Sequence, residues 1–385
     1  MLKRIRGYYR RLAFEYSQFR LRRYLGWCRG KFSLWSEEFK GSDAEVLIGA
    51  HLHFHGGVRN HLIAITRHSK LKTILIPSES VLQRWGRAPF AEHRADFLKI
   101  PAPRSVVAVH THVLPWLIDW ARCHRSDGLR WIHTHHLLYY PEGGKGGIEP
   151  WQQDLNVAML GAARDADVCL CVSKWEREVL KSQYDIDSAY LPNGVDVDSC
   201  DQAVAVRFCR RWKVPPGFVL WVGRMDPVKN PAEFVQLAAM SPLQQFVMVG
   251  GVTSNDIRHD LGMPVPRNLK LLPQLQHHQT LDALAAAGVV VVTSFREGLP
   301  TLVLEAMAMQ KQIVVPEEPG CLDATDGRKH AGVYKHGDLQ SLQSLVQDRC
   351  GQTEPAAAAR ERVLKEFDWR VIAARLDRIY LGENP

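Results

Sequence analysis

Two carboxylates stand eight residues apart in SFREGLPTLVLEAMA (294–308), Glu297 ahead of a glycine and Glu305 inside an apolar run. From Thr301 the stretch has the pattern of a buried helix: Leu302, Val303, Leu304, Ala306, Met307 and Ala308. A carboxylate buried there without a partner costs several kcal/mol, so Glu305 must meet a cation or a ligand. The paired hydroxyls of a ribose would suit it; a structural ion pair is the other solution. The strand VVVVTS ends at Ser294, the loop carries Glu297 and Gly298, and Pro300 starts the helix. Free backbone N–H groups around Leu299 to Leu302 would then face an anion.

WVGRMDPVKNPAEF supplies the matching cations. A strand ends at Gly223, and Arg224 and Lys229 project from the loop that follows. Asn230 is placed to cap the next helix, Pro231 suits its first position, and Glu233 completes a capping-box spacing. Two cations at a helix entrance above a strand's carboxyl end form a clamp for phosphate. Near the N-terminus, Gly56 and Gly57 in VLIGAHLHFHGGV follow the first strand, where backbone can approach a ligand closely or simply turn. The pattern is not GxGxxG and lacks the acidic ribose residue of a dinucleotide site. Histidines gather at two strand ends, His110 and His112 in VHTHV and His133, His135 and His136 in WIHTHHLL. Strand alternation puts His133 and His135 on one side; no carboxylate or cysteine spacing makes this a zinc site, and no metal is expected. The DxD strings of RDADV and GVDVD fall at strand or turn edges and have the pattern of solvated carboxylates.

The elements that must position these residues alternate from about residue 41: short apolar strands with amphipathic helices, the signature of parallel-sheet α/β domains. Six candidate strands (EVLIGAHL, TILIP, VVAVHTH, LRWIHTH, VCLCVS, AYLPN) precede a break near 198–215, and five (FVLWVGR, QFVMVGG, LKLLP, VVVVTS, QIVVPE) follow it. Two facing, doubly wound, Rossmann-like domains are expected: residues 41–205, completed by the closing helix 368–382, and residues 206–367. Such sheets bind ligands beyond the carboxyl ends of their strands.

The length of 385 residues favours two domains of ordinary size or one large one, and 46% hydrophobic with 23% charged residues is the composition of a globular protein with a full core. Its eight cysteines are scattered without a CxxC pair, which argues against a disulfide framework and suits a reducing compartment. The net charge of +8 lies wholly in residues 1–40, which hold eleven Lys/Arg against three Glu; nucleic-acid binding by the rest has no support. In that extension Leu2, Ile5, Tyr9, Leu12, Tyr16 and Phe19 share one helical face, and Lys3, Arg4, Arg6, Arg10 and Arg11 the other. No uninterrupted apolar core fits a secretory signal or a membrane span. A basic helix of this kind can lie on an anionic membrane, or pack on the protein's own body.

Taken together, GRMDPVKNP, EGLPTLVLEAMA and PNGVD (192–196), with HGGV, WIHT, HGDLQSL and the closing FDW helix in the same order, resemble the retaining glycosyltransferases of family 4, which have the GT-B fold. The resemblance spans roughly residues 44–382. It implies transfer of a sugar from a nucleotide diphosphate-sugar, with no further cofactor. By it Arg224 and Lys229 would hold the diphosphate, Glu305 the ribose hydroxyls and Glu297 the donor sugar. The backbone of Gly298, Leu299, Pro300 and Thr301 would cradle phosphates, Gly56 and Gly57 would form the facing loop, and His133 would contact the transferred sugar. QKQ (310–312) and EEPGCLDA depart from the family's usual glycine-rich stretch on the sugar side. The extension lies outside the resemblance. It suggests a cytoplasmic enzyme held peripherally on the membrane, with a lipid-linked glycan or a lipopolysaccharide or capsule precursor as acceptor. A phosphorylase or epimerase on the same fold, and a non-catalytic nucleotide-sugar-binding membrane adaptor, are the competing classes.

Overall fold

The computed structural model describes residues 2–49, 57–86, 88–113, 115–139, 148–350 and 356–385, without the side chains of 2–17, 19, 79, 115 and 116. Gly56 and the apolar face assigned to Leu2–Phe19 therefore lie outside the described residues or side chains.

Twelve strands are described, in two six-stranded parallel sheets. The first holds β1 (Val46–Gly49), β2 (Thr73–Ile76), β3 (Ala108–Thr111), β4 (Arg130–His135), β5 (Val168–Cys171) and β6 (Ala189–Tyr190), in the order β2-β1-β3-β4-β5-β6. The second holds β7 (Val219–Val222), β8 (Phe246–Val249), β9 (Leu269–Leu272), β10 (Val289–Val291), β11 (Gln312–Pro316) and β12 (Gly332–Tyr334), in the order β12-β11-β10-β7-β8-β9. Its strand order reverses between β7 and β10, and β7 and β10 are the strands whose following loops carry Arg224, Lys229 and Glu297. A crevice opens at such a switch point because the two flanking helices leave on opposite faces.

The sequence pattern explains why the strands are there. β1, β5, β8 and β10 are buried along their whole length, so both faces are covered and the runs are continuously apolar instead of alternating. β12 was not among the eleven candidate strands. Three residues, Gly-Val-Tyr, are too few to show a period, and β12 exists because it pairs with β11 at the sheet edge.

The helix Thr301–Ala308 lies against the second sheet, with Val303, Leu304, Ala306, Met307 and Ala308 in one core with Val290, Val292, Ile313 and Val315. The closing helix Trp369–Tyr380 packs on the first sheet instead: Ile372, Leu376 and Tyr380 join Val46, Ile48 and Leu62. Asn193, in the loop after β6, ties the two halves together, its Nδ2 donating to Leu299 O in the loop after β10 at 3.0 Å.

The extension is one helix, Leu2–Lys40. Its last third belongs to the body: Phe32, Trp35 and Phe39 are buried in a core with Phe90, Phe97 and Trp120, and the Trp35 and Phe90 rings meet edge-on at 5.1 Å. Before that, Leu21, Tyr24, Leu25 and Trp27 are exposed. Among the described residues no helix is long and apolar enough to cross a membrane.

Candidate active site

The clamp residues arrive as the strand pattern requires. β7 ends at Val222, and Gly223 and Gly250 follow β7 and β8 so closely that a Cβ on Gly250 would lie 1.6 Å from Gly223 O. No side chain fits there. Lys229 ends a short 3-10 turn, Pro227–Lys229, capped by Asp226, whose side chain accepts from Val228 N. Asn230 has φ 46° and makes no side-chain cap, so the expected capping box does not form. Glu233 turns inward, its carboxylate accepting from Tyr334 Oη at 2.7 Å and Gly337 N at 2.6 Å. That bond set ties the helix Pro231–Met240 to β12, which is worth more to a buried carboxylate than a solvent-facing cap.

Lys229 Nζ donates to Glu297 Oε1 at 2.6 Å. Both are partly buried, and they line one cavity of about 330 Å³ with Arg224, Gly298, Leu299, Pro300, Thr301, Gly57 and His136. Arg224 is exposed at the rim, with Nη2 3.1 Å from Asp226 Oδ2. Gly298 sits where a Cβ would come within 2.6 Å of His136 O, so its bareness sets how near the two domains approach. The first N–H groups of Thr301–Ala308 open on this cavity, an arrangement that attracts anions.

Glu305 faces the next cavity, about 220 Å³, with His277, Asp196, Arg67, His68 and Trp369; Thr301 lines both, so the two adjoin at the helix N-terminus. Its carboxylate is 12% exposed and its Oε1 lies 2.7 Å from His277 Nε2. The Glu305 carboxylate raises the His277 pKa above the usual imidazole range. The partner demanded by burial is thus an exposed histidine on a helix start, which leaves the second carboxylate oxygen for a ligand.

His133 is not at the cleft. It is fully buried, Nδ1 3.0 Å from Thr111 Oγ1, and burial lowers its pKa to about 3. The residue that lines the cavity is His136, one position beyond β4, where alternation no longer holds the side chain in the sheet's cover. His135 lies on the His133 side, 3.6 Å from Glu176 Oε2. Three more residues at the site carry no clear signal in the sequence. Asn193 stands in PNGVD, where its neighbours Gly and Asp suggest only a turn. His277 sits in the polar run QHHQ at a helix start. Glu318 lies in EEPGCLDA and caps the helix Pro319–Thr325, its Oε2 accepting from Cys321 N at 2.9 Å and its Oε1 from Glu297 N at 3.1 Å. Burial pushes the Glu318 carboxyl up to about 7 against those two N–H groups. It fixes the backbone on which Glu297 is carried, and Gly320 beside it leaves no room for a Cβ, which would lie 2.3 Å from Glu297 O.

Residues 207–360 match the family described as Glycosyl transferases group 1, and residues 94–199 match Glycosyltransferase Family 4. The phosphatidyl-myo-inositol mannosyltransferase of Mycobacterium leprae is 25% identical over 328 residues, 80% of this chain and 82% of that protein. A glycogen synthase of Mycobacterium tuberculosis is 26% identical over 183 residues, 45% of this chain and 44% of that one. The chain spans 59%, 44% and 47% of the length of three such curated relatives, about half. Among solved structures, Anabaena Alr3699/HepE in complex with UDP-glucose superposes with a TM-score of 0.70 at 16% identity, covering 88% of this chain and all of that one. Sucrose-phosphate synthase from Thermosynechococcus elongatus gives 0.68 at 16% identity, covering 88% and 98%. The two family matches, one on each half of the chain, and the two parallel six-stranded sheets place the chain among the family 4 glycosyltransferases of the GT-B fold.

Proposed function

We propose that the chain transfers a sugar from a nucleotide diphosphate-sugar to an acceptor hydroxyl with retention of anomeric configuration, on the cytoplasmic face of a membrane. The observation that carries this is the convergence of Arg224, Lys229, Glu297 and the first turn of Thr301–Ala308 on one cavity between the sheets, with Glu305 in the adjoining one. A sugar diphosphate across Thr301 would put its phosphates on the helix N-terminus and the two cations, its ribose at Glu305 and its sugar at Glu297. The Anabaena protein above is a GT-B structure holding UDP-glucose, and the shared fold supports a donor of that class.

In the transfer the bond from the anomeric carbon to the phosphate oxygen breaks and the acceptor oxygen bonds to that carbon on the same face. The acceptor's proton passes to the departing phosphate oxygen. Arg224, Lys229 and the helix dipole stabilise the charge that develops on the leaving diphosphate, with no metal ion in the step. Among the described residues that line the cavity, no second carboxylate stands opposite Glu297 as in a glycosidase pair. Of the strand-end histidines His136, not His133, lines this cavity, and its backbone carbonyl packs on Gly298.

A panel of nucleotide-sugars tests the assignment. The cognate donor raises the melting temperature by mass action and, without acceptor, is slowly hydrolysed to the nucleoside diphosphate. Stabilisation with no hydrolysis and no transfer to any acceptor would instead make the chain a nucleotide-sugar-binding adaptor.

The membrane reading now rests on the part of the helix before Cys28, since residues 28–39 are packed on the body. Arg20, Arg22, Arg23, Leu21, Tyr24, Leu25 and Trp27 would sit in an anionic headgroup layer, each cation adding about 1 kcal/mol. Such an enzyme would meet lipid-linked acceptors. Deleting residues 1–27 is expected to abolish sedimentation with anionic liposomes and slow transfer to a lipid-borne acceptor, while the melting temperature and donor binding hold. Unchanged sedimentation would defeat it. Deleting residues 1–40 would not serve, because it strips Phe32, Trp35 and Phe39 from the core.

A further inference from the structure

In the cleft wall three buried histidines from three separate elements meet. His61 comes from the helix Gly57–His68, His112 follows β3, and His136 follows β4. A ring nitrogen of each lies within 4.8 Å of one on each of the others. The rings are close: His61 to His136 5.0 Å, His112 to His136 5.3 Å, His61 to His112 5.4 Å between centroids.

Their hydrogen bonds do not balance. Asn193 Nδ2 donates to Leu299 O, which fixes the amide and leaves Oδ1 as the acceptor facing His61 Nδ1 at 3.0 Å. His61 therefore carries its proton on Nδ1, and Nε2 holds a lone pair that is buried and has no partner. His112 Nδ1 and His136 Nε2 share one proton at 3.0 Å, and His112 Nε2 is also buried without a partner. The neighbouring His110 shows what a satisfied histidine looks like here, with Tyr380 Oη at 2.6 Å and Thr134 Oγ1 at 2.7 Å. Two orphaned ring nitrogens in one cluster are costly unless something fills them.

We propose that His61, His112 and His136 bind a divalent transition cation of the zinc class, with Asn193 holding the His61 ring through its Nδ1. Three imidazoles suit zinc, copper, iron or nickel, and a histidine ligand whose other nitrogen donates to an amide or carboxylate oxygen is the usual way such a ring is held. His136 also lines the cleft, so a water can reach the fourth position from that side. The ion pins the ends of β3 and β4 to the helix that begins at Gly57, the segment facing the second domain, and takes no part in the transfer step. Sequence spacing could not reveal it, since each ligand comes from a different element.

The test uses the full, untagged chain loaded with Zn²⁺ or Co²⁺ alone. Expected are one equivalent of metal per chain after dialysis, visible ligand-field bands of four- or five-coordinate Co²⁺, and X-ray absorption scatterers at about 2.0–2.1 Å with imidazole multiple scattering. Binding is lost in His61→Gln and His112→Gln and kept in His278→Gln, an exposed histidine. Substoichiometric metal in the wild-type chain, an all-oxygen or sulfur shell, or equal binding in all three variants overturns the proposal. The wild-type absorption spectrum decides it even if the core variants fold poorly.

Discussion

Lys229→Ala is expected to lower kcat/KM for sugar transfer a hundredfold to a thousandfold, about 3–4 kcal/mol, the usual cost of removing one preorganised group from the charge that develops in a transition state. Lys229 earns that estimate from its position. Its ammonium already holds Glu297 at 2.6 Å in a cavity shared with Arg224 and the N-terminus of Thr301–Ala308, so little reorganisation is needed when a diphosphate arrives. An ammonium has three protons; one is on Glu297, and the others remain for phosphate oxygens. Arg224→Ala is expected to follow in the same direction with a smaller loss, because the guanidinium is at the rim and exposed to water. Both residues are in the loop after β7, so circular dichroism and melting should change little. Turnover within a few-fold of wild type in both variants would remove the clamp from the mechanism. A collapse of the melting temperature in Lys229→Ala would mean that the lysine is there to neutralise Glu297.

The parts of this site that could be read in advance share a physical feature: the residue's type conflicts with its surroundings. Glu305 in an apolar helix and two cations after a buried strand are conflicts visible in one dimension. The alternation of strands and helices was legible for the same reason, since a parallel sheet covered on both faces leaves continuous apolar runs. What was missed depends on pairings between distant segments. Glu318 looks like one of two surface acids until β11 brings it under the Glu297 loop. Glu233 has the spacing of a capping box, but Tyr334 and Gly337, a hundred residues on, offer it better donors. The cavity-lining histidine stands three positions beyond His133 because the strand ends at His135, and the residue after it escapes the sheet's cover. The extension divided where its aromatic spacing meets Phe90 and Phe97, a contact no helical wheel contains.

The two glutamates should separate cleanly in binding and turnover. Glu305→Gln is expected to weaken free nucleoside diphosphate about tenfold to a hundredfold, the range for losing a hydrogen bond to a charged group. Glu297→Gln should leave that affinity within about twofold and depress kcat, since the sugar is absent from the diphosphate. The structure adds a control through His277, which occupies one oxygen of Glu305 at 2.7 Å. If Glu305 served only to hold that histidine, its loss would lower stability and spare the nucleotide. His277→Gln distinguishes the cases, because it frees the carboxylate and should leave nucleotide binding equal or tighter. The pH dependence has a definite sign. Glu305 raises the His277 pKa, so the pair's contribution to folding is complete below the unfolded imidazole's pKa and is lost as pH rises through the folded value. Over the same window the carboxylate is released from its charged partner, and nucleotide affinity should rise with pH in the wild-type chain but not in His277→Gln. Calorimetry at two pH values on the four proteins measures all of this. A Glu305→Gln chain that binds nucleoside diphosphate as well as wild type, with Glu297→Gln weakened instead, would exchange the two roles and move the ribose to the Lys229 side of Thr301.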